Sequence, residues 1–225
     1  MAQPKNKEIN PKSPSIKKLS IRISENAEKQ LNILSANTGA SRSQFIVYAI
    51  SHIRKNLNSR DEVESLKSTI SLSKNNISIS LKKSINDDLQ NIATAYAMKK
   101  NVLVGLLVSD FLENMDPDSP WLRTNRNADE LHIYKLFLHK SYFYELKSYT
   151  FNEYVQLKIP VVLGILSGPK EIHQDDFNEY IETSAKLPKY LVTHIKKESE
   201  RYGIPEYNYV DSCVRNYWES TKKQT

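Results

Sequence analysis

Seven polar residues that can form hydrogen bonds stand at alternate positions in two short segments of the chain. They are Lys18, Ser20 and Arg22 in the first segment, and Asn76, Ser78, Ser80 and Lys82 in the second. An arginine can bond the edge of a guanine through two hydrogen bonds, an asparagine can do so with an adenine, and a serine can bond either base. Because alternate residues of a strand share one face, these side chains are candidate base readers.

A second set of candidates stands where a helix should begin in each half of the pattern. The set comprises Ser41, Arg42 and Ser43 in the first stretch, and Lys99, Lys100 and Asn101 in the second. The N-terminus of a helix presents free N–H groups and the positive end of the helix dipole, which together favour a phosphate. We therefore predict phosphate contacts here, which would position the protein while the strand residues specify the sequence.

Both sets belong to two copies of one apolar pattern, which covers residues 18–57 and recurs at residues 76–115 with an offset of 58 positions. Each copy predicts a strand with one apolar face, followed by two amphipathic helices. In the first copy, Ser24 can cap the first helix and Gly39 can end it. One strand and two short helices bury little apolar surface, so each copy needs a partner, which the other copy supplies.

This plan, carried by KLSIRIS, NISISLK and TGASRSQF, resembles the ribbon-helix-helix superfamily, to which the Arc and MetJ repressors belong. The resemblance implies that the two strands pair as an antiparallel ribbon that lies in the DNA major groove. The second copy departs from it at Ala97, where the first has Gly39, so the turn must be made differently or the helix end must shift. A ribbon fits the B-form groove rather than the narrow A-form one, which favours DNA, although RNA binding and a merely solvated strand face stay open.

The positive charge of the chain lies in its front half. Residues 1–17 carry a net charge of +3 and residues 18–115 a net charge of +4, whereas residues 116–127 are neutral and residues 128–225 carry −1. A basic front half suits a polyanion such as double-stranded DNA. Residues 1–17 are polar and contain three prolines, so we predict a disordered basic arm, and the break at residues 116–127 predicts a linker.

The back half, residues 128–225, contains two weaker copies of the same pattern. Residues 182–220 match the first copy at an offset of 164, including a glycine at Gly203, and residues 131–169 give a more degenerate match. The alternative for residues 131–169 is an unrelated α/β segment. The predicted fold class is therefore mainly α with short β-ribbons, organised as tandem ribbon-helix-helix repeats in two intramolecular pseudo-dimers. The low charge of the back half favours self-association or a protein partner over DNA reading.

The sequence offers no enzymatic signature. Four tyrosines between residues 142 and 154 show no arginine and histidine set nearby that would activate a tyrosine nucleophile. The histidines lack metal-ligand spacing, no glycine-rich phosphate loop occurs, and we predict no catalytic residue, metal or cofactor. The single cysteine, Cys213, cannot form a disulfide within the chain, and no run has the length of a membrane span. We expect a cytoplasmic protein of bacterial or phage origin with no membrane partner.

These observations predict a sequence-specific DNA-binding protein that acts as a transcriptional repressor or as a plasmid or phage regulatory protein. Two alternatives stay open. Two copies in one chain are similar to the TraY type of relaxosome accessory protein from conjugative plasmids, which would not account for the back half. An antitoxin whose back half binds a partner protein is the other. The DNA target, the regulated process and the oligomeric state do not follow from the residues.

Overall fold

The structure is a computed structural model that describes residues 15–53, 59–115, 119, 122, 130–148 and 158–223. Over these ranges the chain is mainly helical, with two antiparallel sheets of two strands each. In chain order the elements are β1 (Ile16–Ile21), α1 (Glu25–Thr38), α2 (Arg42–Ile53), α3 (Arg60–Thr69), β2 (Ile77–Lys82), α4 (Lys83–Ala95), α5 (Lys100–Glu113), β3 (Leu131–His139), α6 (Lys140–Ser148), α7 (Lys158–Ser167), a 3-10 turn (Phe177–Glu179), β4 (Tyr180–Pro188), α8 (Lys189–Tyr202) and α9 (Glu206–Lys223). The predicted class, mainly α with short β-ribbons, is confirmed at this level.

β1 and β2 form an antiparallel sheet, which we call the front ribbon, with Leu19 opposite Ile79. Leu19, Ile79 and Leu81 point into the core, where Leu81 is fully buried. The alternation of apolar and polar residues therefore fixes which face is buried. β1 begins at Ile16, so residues 16 and 17, which the sequence assigns to the arm, belong to the strand. Residues 1–14 of the predicted arm lie outside the described residues.

The helix ends of the two front copies differ in the way that the sequence anticipates. Ser24 caps α1, since its hydroxyl oxygen accepts a hydrogen bond from the Ala27 N–H at 3.0 Å, and Gly39 ends α1 in the left-handed conformation at φ 63°. In the second copy α4 ends at Ala95, one residue earlier than α1 by the same alignment. Ala97 itself takes a left-handed conformation at φ 52°, which an L-residue adopts at a cost of about 1–2 kcal/mol.

α3 is a separate helix between the two front copies. Ser59 and Glu62 form reciprocal side-chain to backbone hydrogen bonds at its start, which explains why a new helix begins there. Its buried Val63 packs with Leu103 and Leu107 of α5. The segment between the copies therefore covers one flank of the front half.

The back half repeats the order of strand, helix and helix, and β3 pairs with β4 as a second antiparallel sheet, the back ribbon. β4 begins at Tyr180, earlier than residue 182 of the predicted copy, and Pro188 is the capping residue that precedes α8. Gly203 ends α8 at φ 65°, as the alignment with Gly39 predicts. α6 is described to Ser148, and residues 149–157, like most of the linker at residues 116–127, lie outside the described residues.

The two halves share a core. Ile159 and Leu163 of α7 are buried in the same apolar cluster as the front ribbon and α2. Two donors from the back half also satisfy carbonyl oxygens at the end of α1: the Lys158 ammonium bonds the Gly39 oxygen at 2.6 Å, and the Tyr190 hydroxyl bonds the Asn37 oxygen at 2.5 Å. The linker therefore separates the repeats in sequence, whereas the two halves pack as neighbours.

Candidate nucleic-acid interface

The front ribbon brings all seven predicted base-reading residues to one face. The register places Lys18 opposite Ser80 and Ser20 opposite Ser78, and six of the seven side chains are exposed, with Lys82 partly so. Ile16, opposite Lys82, is the apolar member of this surface and is 66% exposed. We call this surface the front outer face; its members are Ile16, Lys18, Ser20, Arg22, Asn76, Ser78, Ser80 and Lys82.

Arg22 and Asn76 contact each other at one end of the front outer face. The Nε–H of Arg22 donates a hydrogen bond to Oδ1 of Asn76 at 3.1 Å. This contact restricts the arginine side chain, and it leaves the two Nη groups as the donors available for a bidentate contact. Asn76 therefore has a second role that its residue type alone did not suggest, which is to orient Arg22.

The backbone of Arg22 packs directly against α5. A Cβ atom added at Gly105 would lie 2.2 Å from the Arg22 carbonyl oxygen, a distance that no side chain tolerates. Just beyond, the Ser24 N–H donates a hydrogen bond to the Ser109 hydroxyl at 2.9 Å. Sequence reasoning missed Gly105, although a glycine inside an apolar helix often marks such a close approach. The end of β1 is thus held directly on α5.

Most polar groups at the start of α2 already have partners within the protein. Ser41 and Gln44 bond each other's backbone N–H groups, at 3.3 Å and 2.6 Å, as a reciprocal cap. The guanidinium of Arg42 forms an ion pair with Glu28 of α1 at 2.6 Å, so its charge is partly neutralised. The first-turn N–H groups of Arg42 and Ser43 are those left for an anion. Arg42 is therefore a weaker phosphate ligand than its charge alone predicts.

The start of α5 leaves more of its polar groups accessible to a ligand than the start of α2 does. Lys99, in the capping position, makes no side-chain hydrogen bond to the helix and is exposed. Lys100 donates to the Asn86 side chain at 2.7 Å, and Asn101 is exposed. An uncapped N-terminus with two lysines favours an anion through both the helix dipole and direct charge. Of the two predicted phosphate sites, the one at Lys99 has the stronger physical basis.

A cluster in the back half brings polar groups from distant segments onto one of the tyrosines. The Tyr142 hydroxyl donates to Asp211 at 2.6 Å, and Arg215 pairs with the same carboxylate at 3.0 Å. The backbone N–H of His139 donates to Asp211 as well. Burial raises the pKa of Tyr142 well above its ordinary value, and Asp211 raises it further. The phenol is thus a buried, protonated donor that holds α6 to α9.

Other kinds of site find little support in the part of the chain that the structure describes. Within it, no group of three or more histidine, cysteine, aspartate or glutamate side chains could hold a metal ion. No described helix combines the length and apolar character that crossing a membrane requires. Comparisons with protein-family models, with curated proteins and with solved structures give no match to this chain.

Proposed function

We propose that this protein binds double-stranded DNA in a sequence-specific manner through the front outer face, as a tandem ribbon-helix-helix protein that acts as a transcriptional repressor or as a plasmid or phage regulatory protein. One observation carries the proposal. Two segments far apart in sequence contribute their alternate polar residues to a single exposed ribbon face that holds three cationic side chains and no acidic one. A two-stranded ribbon has the width that the major groove of B-DNA admits.

In this proposal Arg22 reads a guanine. Its Nη groups bond the O6 and N7 atoms of the base, while Asn76 holds Nε and thus limits the rotamers of the side chain. The serines opposite one another at the middle of the ribbon bond either donors or acceptors on the neighbouring base pairs. Lys18 and Lys82 lie on opposite strands, both beyond the Ser20–Ser78 pair on the side away from Arg22, and bind guanine or the backbone.

Backbone contacts position the ribbon. The open start of α5, with Lys99 and Lys100, binds one phosphate group, and the first-turn N–H groups of α2 bind a second more weakly because Glu28 neutralises Arg42. The two strands carry different readers, so the two halves of the bound DNA sequence should differ. A perfectly palindromic target for one front ribbon would contradict this arrangement.

The test begins with DNA selected from a random pool by the full chain, followed by affinity measurements on the selected site and on its single-base variants. We expect Arg22→Ala to weaken binding by about 1–3 kcal/mol and to relax preference at one base pair only. Lys99→Ala should weaken binding to every sequence alike, since phosphate contacts carry no sequence information. The logarithm of the affinity should fall with the logarithm of salt concentration, with a slope near −5 for about six phosphate contacts.

Lys186→Ala is the matched control, because it removes an exposed strand cation from the back ribbon instead. Measured at protein concentrations too low for self-association, it should leave affinity for the selected site nearly unchanged. If Arg22→Ala binds the site and its variants as the parent does, the front outer face is not the reading surface. Binding that does not change with salt would contradict a nucleic-acid partner altogether.

A further inference from the structure

The back ribbon exposes several apolar side chains, whereas Ile16 is the one apolar member of the front outer face. Ile133 is 77% exposed and Leu131 is 42% exposed, and both stand at alternate positions of β3 with Lys135 and Phe137. Phe177, 53% exposed, packs against Phe137 with ring centroids 5.3 Å apart. Contiguous exposed apolar side chains of this kind mark surfaces that another molecule covers.

The charges on this surface do not suit a nucleic acid. Lys135 forms an ion pair with Glu182 on the adjacent strand at 2.8 Å, so one cation of the face is neutralised. The second helix of each back copy offers no anion site comparable to that of α5: α9 begins with the acidic Glu206, and Lys158 at the start of α7 is buried against Gly39. The surface therefore suits an occupant that has apolar side chains and charges of both signs.

The register of the back ribbon makes its outer surface complementary to itself. Ile133 stands opposite Lys186, Lys135 opposite Ser184, and Phe137 opposite Glu182. Consider two copies packed face to face about a two-fold axis that runs across the strands at the pair of Lys135 and Ser184. Ile133 then meets Phe137 of the second copy, and Lys186 meets Glu182 of the second copy. An axis along the strands would instead place Lys186 against Ile133 and Glu182 against Phe137 of the second copy.

We propose that the back ribbon is a self-association surface, through which two copies of this chain pack in the first of these arrangements. Apolar contacts from Ile133 and Phe137 drive the association, and the two Lys186–Glu182 pairs between copies set its register. Lys135 lies near the axis, and its pairing with Glu182 keeps its ammonium away from its counterpart.

The size of the surface limits the affinity. Nine residues per strand, at about 3.3 Å each, give a ribbon roughly 30 Å long, and two strands about 4.8 Å apart make it roughly 10 Å wide. The buried area per copy falls well below the ~800 Å² typical of stable interfaces. We expect a reversible dimer that forms in the micromolar range and dissociates on dilution.

The first experiment measures the mass of the full chain by sedimentation equilibrium from low to high micromolar concentration, without DNA. We expect the parent to shift from monomer to dimer, and Ile133→Lys to remain monomeric throughout. Ile16→Lys is the matched control, because it introduces the same change at an exposed isoleucine of the front ribbon; it should dimerise as the parent does. A parent that stays monomeric, or two lysine variants that behave alike, would overturn the proposal.

A charge exchange tests the register. Glu182→Lys and Lys186→Glu should each raise the dimer dissociation constant at least tenfold, and the double variant should restore the parent value. Lys135, opposite Ser184, is diagonal to both positions and can pair with a glutamate at either one, so the exchange preserves the contact within each copy. Glu182, Lys186 and Lys135 are exposed, and circular dichroism checks that each variant folds. Lack of restoration in the double variant would refute this two-fold arrangement.

Discussion

The front and back ribbons have the same backbone plan and opposite surface chemistry. Both pair two antiparallel strands, each of which leads into two helices, yet the front strands have six residues and the back strands nine. The front outer face is cationic and polar, whereas the back one exposes Ile133 beside a neutralised ion pair. The buried positions alternate in both ribbons. The comparison shows that inward-facing residues determine the architecture, while outward-facing residues are free to take different roles.

The largest expected effect tests whether the two halves are energetically independent. Leu163 of α7 is fully buried within the apolar cluster of the front half, so we expect Leu163→Ala to destabilise the protein by about 2–5 kcal/mol. Urea unfolding, followed by circular dichroism and by tryptophan fluorescence, should show one transition that moves to lower urea concentration.

Leu166→Ala is the control, since Leu166 is only partly buried and packs against the apolar cluster of the back half. It should lower the free energy of unfolding by less than Leu163→Ala does. Two separate unfolding transitions in the parent would show that the shared core does not couple the halves.

The next effect compares the close helix contacts of the two halves. An added Cβ would lie 2.2 Å from the Arg22 oxygen at Gly105, but 2.9 Å from the Cys213 oxygen at Gly164. We therefore expect Gly105→Ala to destabilise the protein by about 3 kcal/mol and Gly164→Ala by about 1 kcal/mol. Denaturant midpoints measure both. Equal losses, or a gain in stability from the usual preference of alanine for helices, would mean that α5 does not press on the end of β1.

A third effect concerns pH and the contact between the halves. Burial lowers the pKa of Lys158 to about 8, and the nearby Lys186 contributes. The unfolded chain keeps the ordinary pKa near 10.5, so it binds more protons than the folded chain between these values, and the Lys158 contribution to stability rises as pH rises through this range. Below pH 8 the cost of the buried charge is fully present.

Lys158→Met removes this titration. The unfolding free energy of the parent, minus that of the variant, should increase by about 1 kcal/mol between pH 8 and about 9.5, after allowance for residual solvent screening. Tyrosine and cysteine ionisation occurs in both proteins and cancels in the difference. A difference that stays constant with pH would mean that Lys158 is solvated.

The smallest effect compares helix ends. Ala97 has a left-handed conformation at φ 52°, where glycine has no steric penalty, so Ala97→Gly should stabilise the protein by about 0.5–1 kcal/mol. Gly203→Ala is the reciprocal test, because Gly203 lies at φ 65° and an added Cβ would meet no atom within 4 Å; it should destabilise the protein by about 1 kcal/mol. Thermal unfolding measures both changes. A destabilised Ala97→Gly variant would show that Ala97 is not strained in its left-handed conformation.

Local patterns in the sequence predicted the elements and the exposed face well. Alternation identified Leu19 and Ile79 as buried and placed seven polar residues together, because strand geometry depends only on neighbouring positions. The cap at Ser24 and the helix ends at Gly39 and Gly203 follow from residue type in the same way. These features require no knowledge of distant contacts.

Long-range contacts could not be predicted in this way. Nothing local indicates that Glu28 neutralises Arg42, that Asn76 holds Arg22, or that Asp211 brings Tyr142 and Arg215 together. The insertion of Ile159 and Leu163 into the front core is similar, since an apolar helix can pack against either half. Such contacts depend on the tertiary arrangement, which the spacing of residues in one segment does not encode.

Both strands of the front ribbon belong to one polypeptide, and this affects how its specificity can evolve. In a ribbon formed by two identical chains, one codon change alters both strands at once. Here a mutation at Arg22 leaves Asn76, Ser78 and Ser80 untouched, because separate codons specify the two strands. Whatever ligand covers the front outer face, selection can therefore adjust recognition of one side while the other side stays constant, and specificity can diverge through single steps that each retain half of the original contacts.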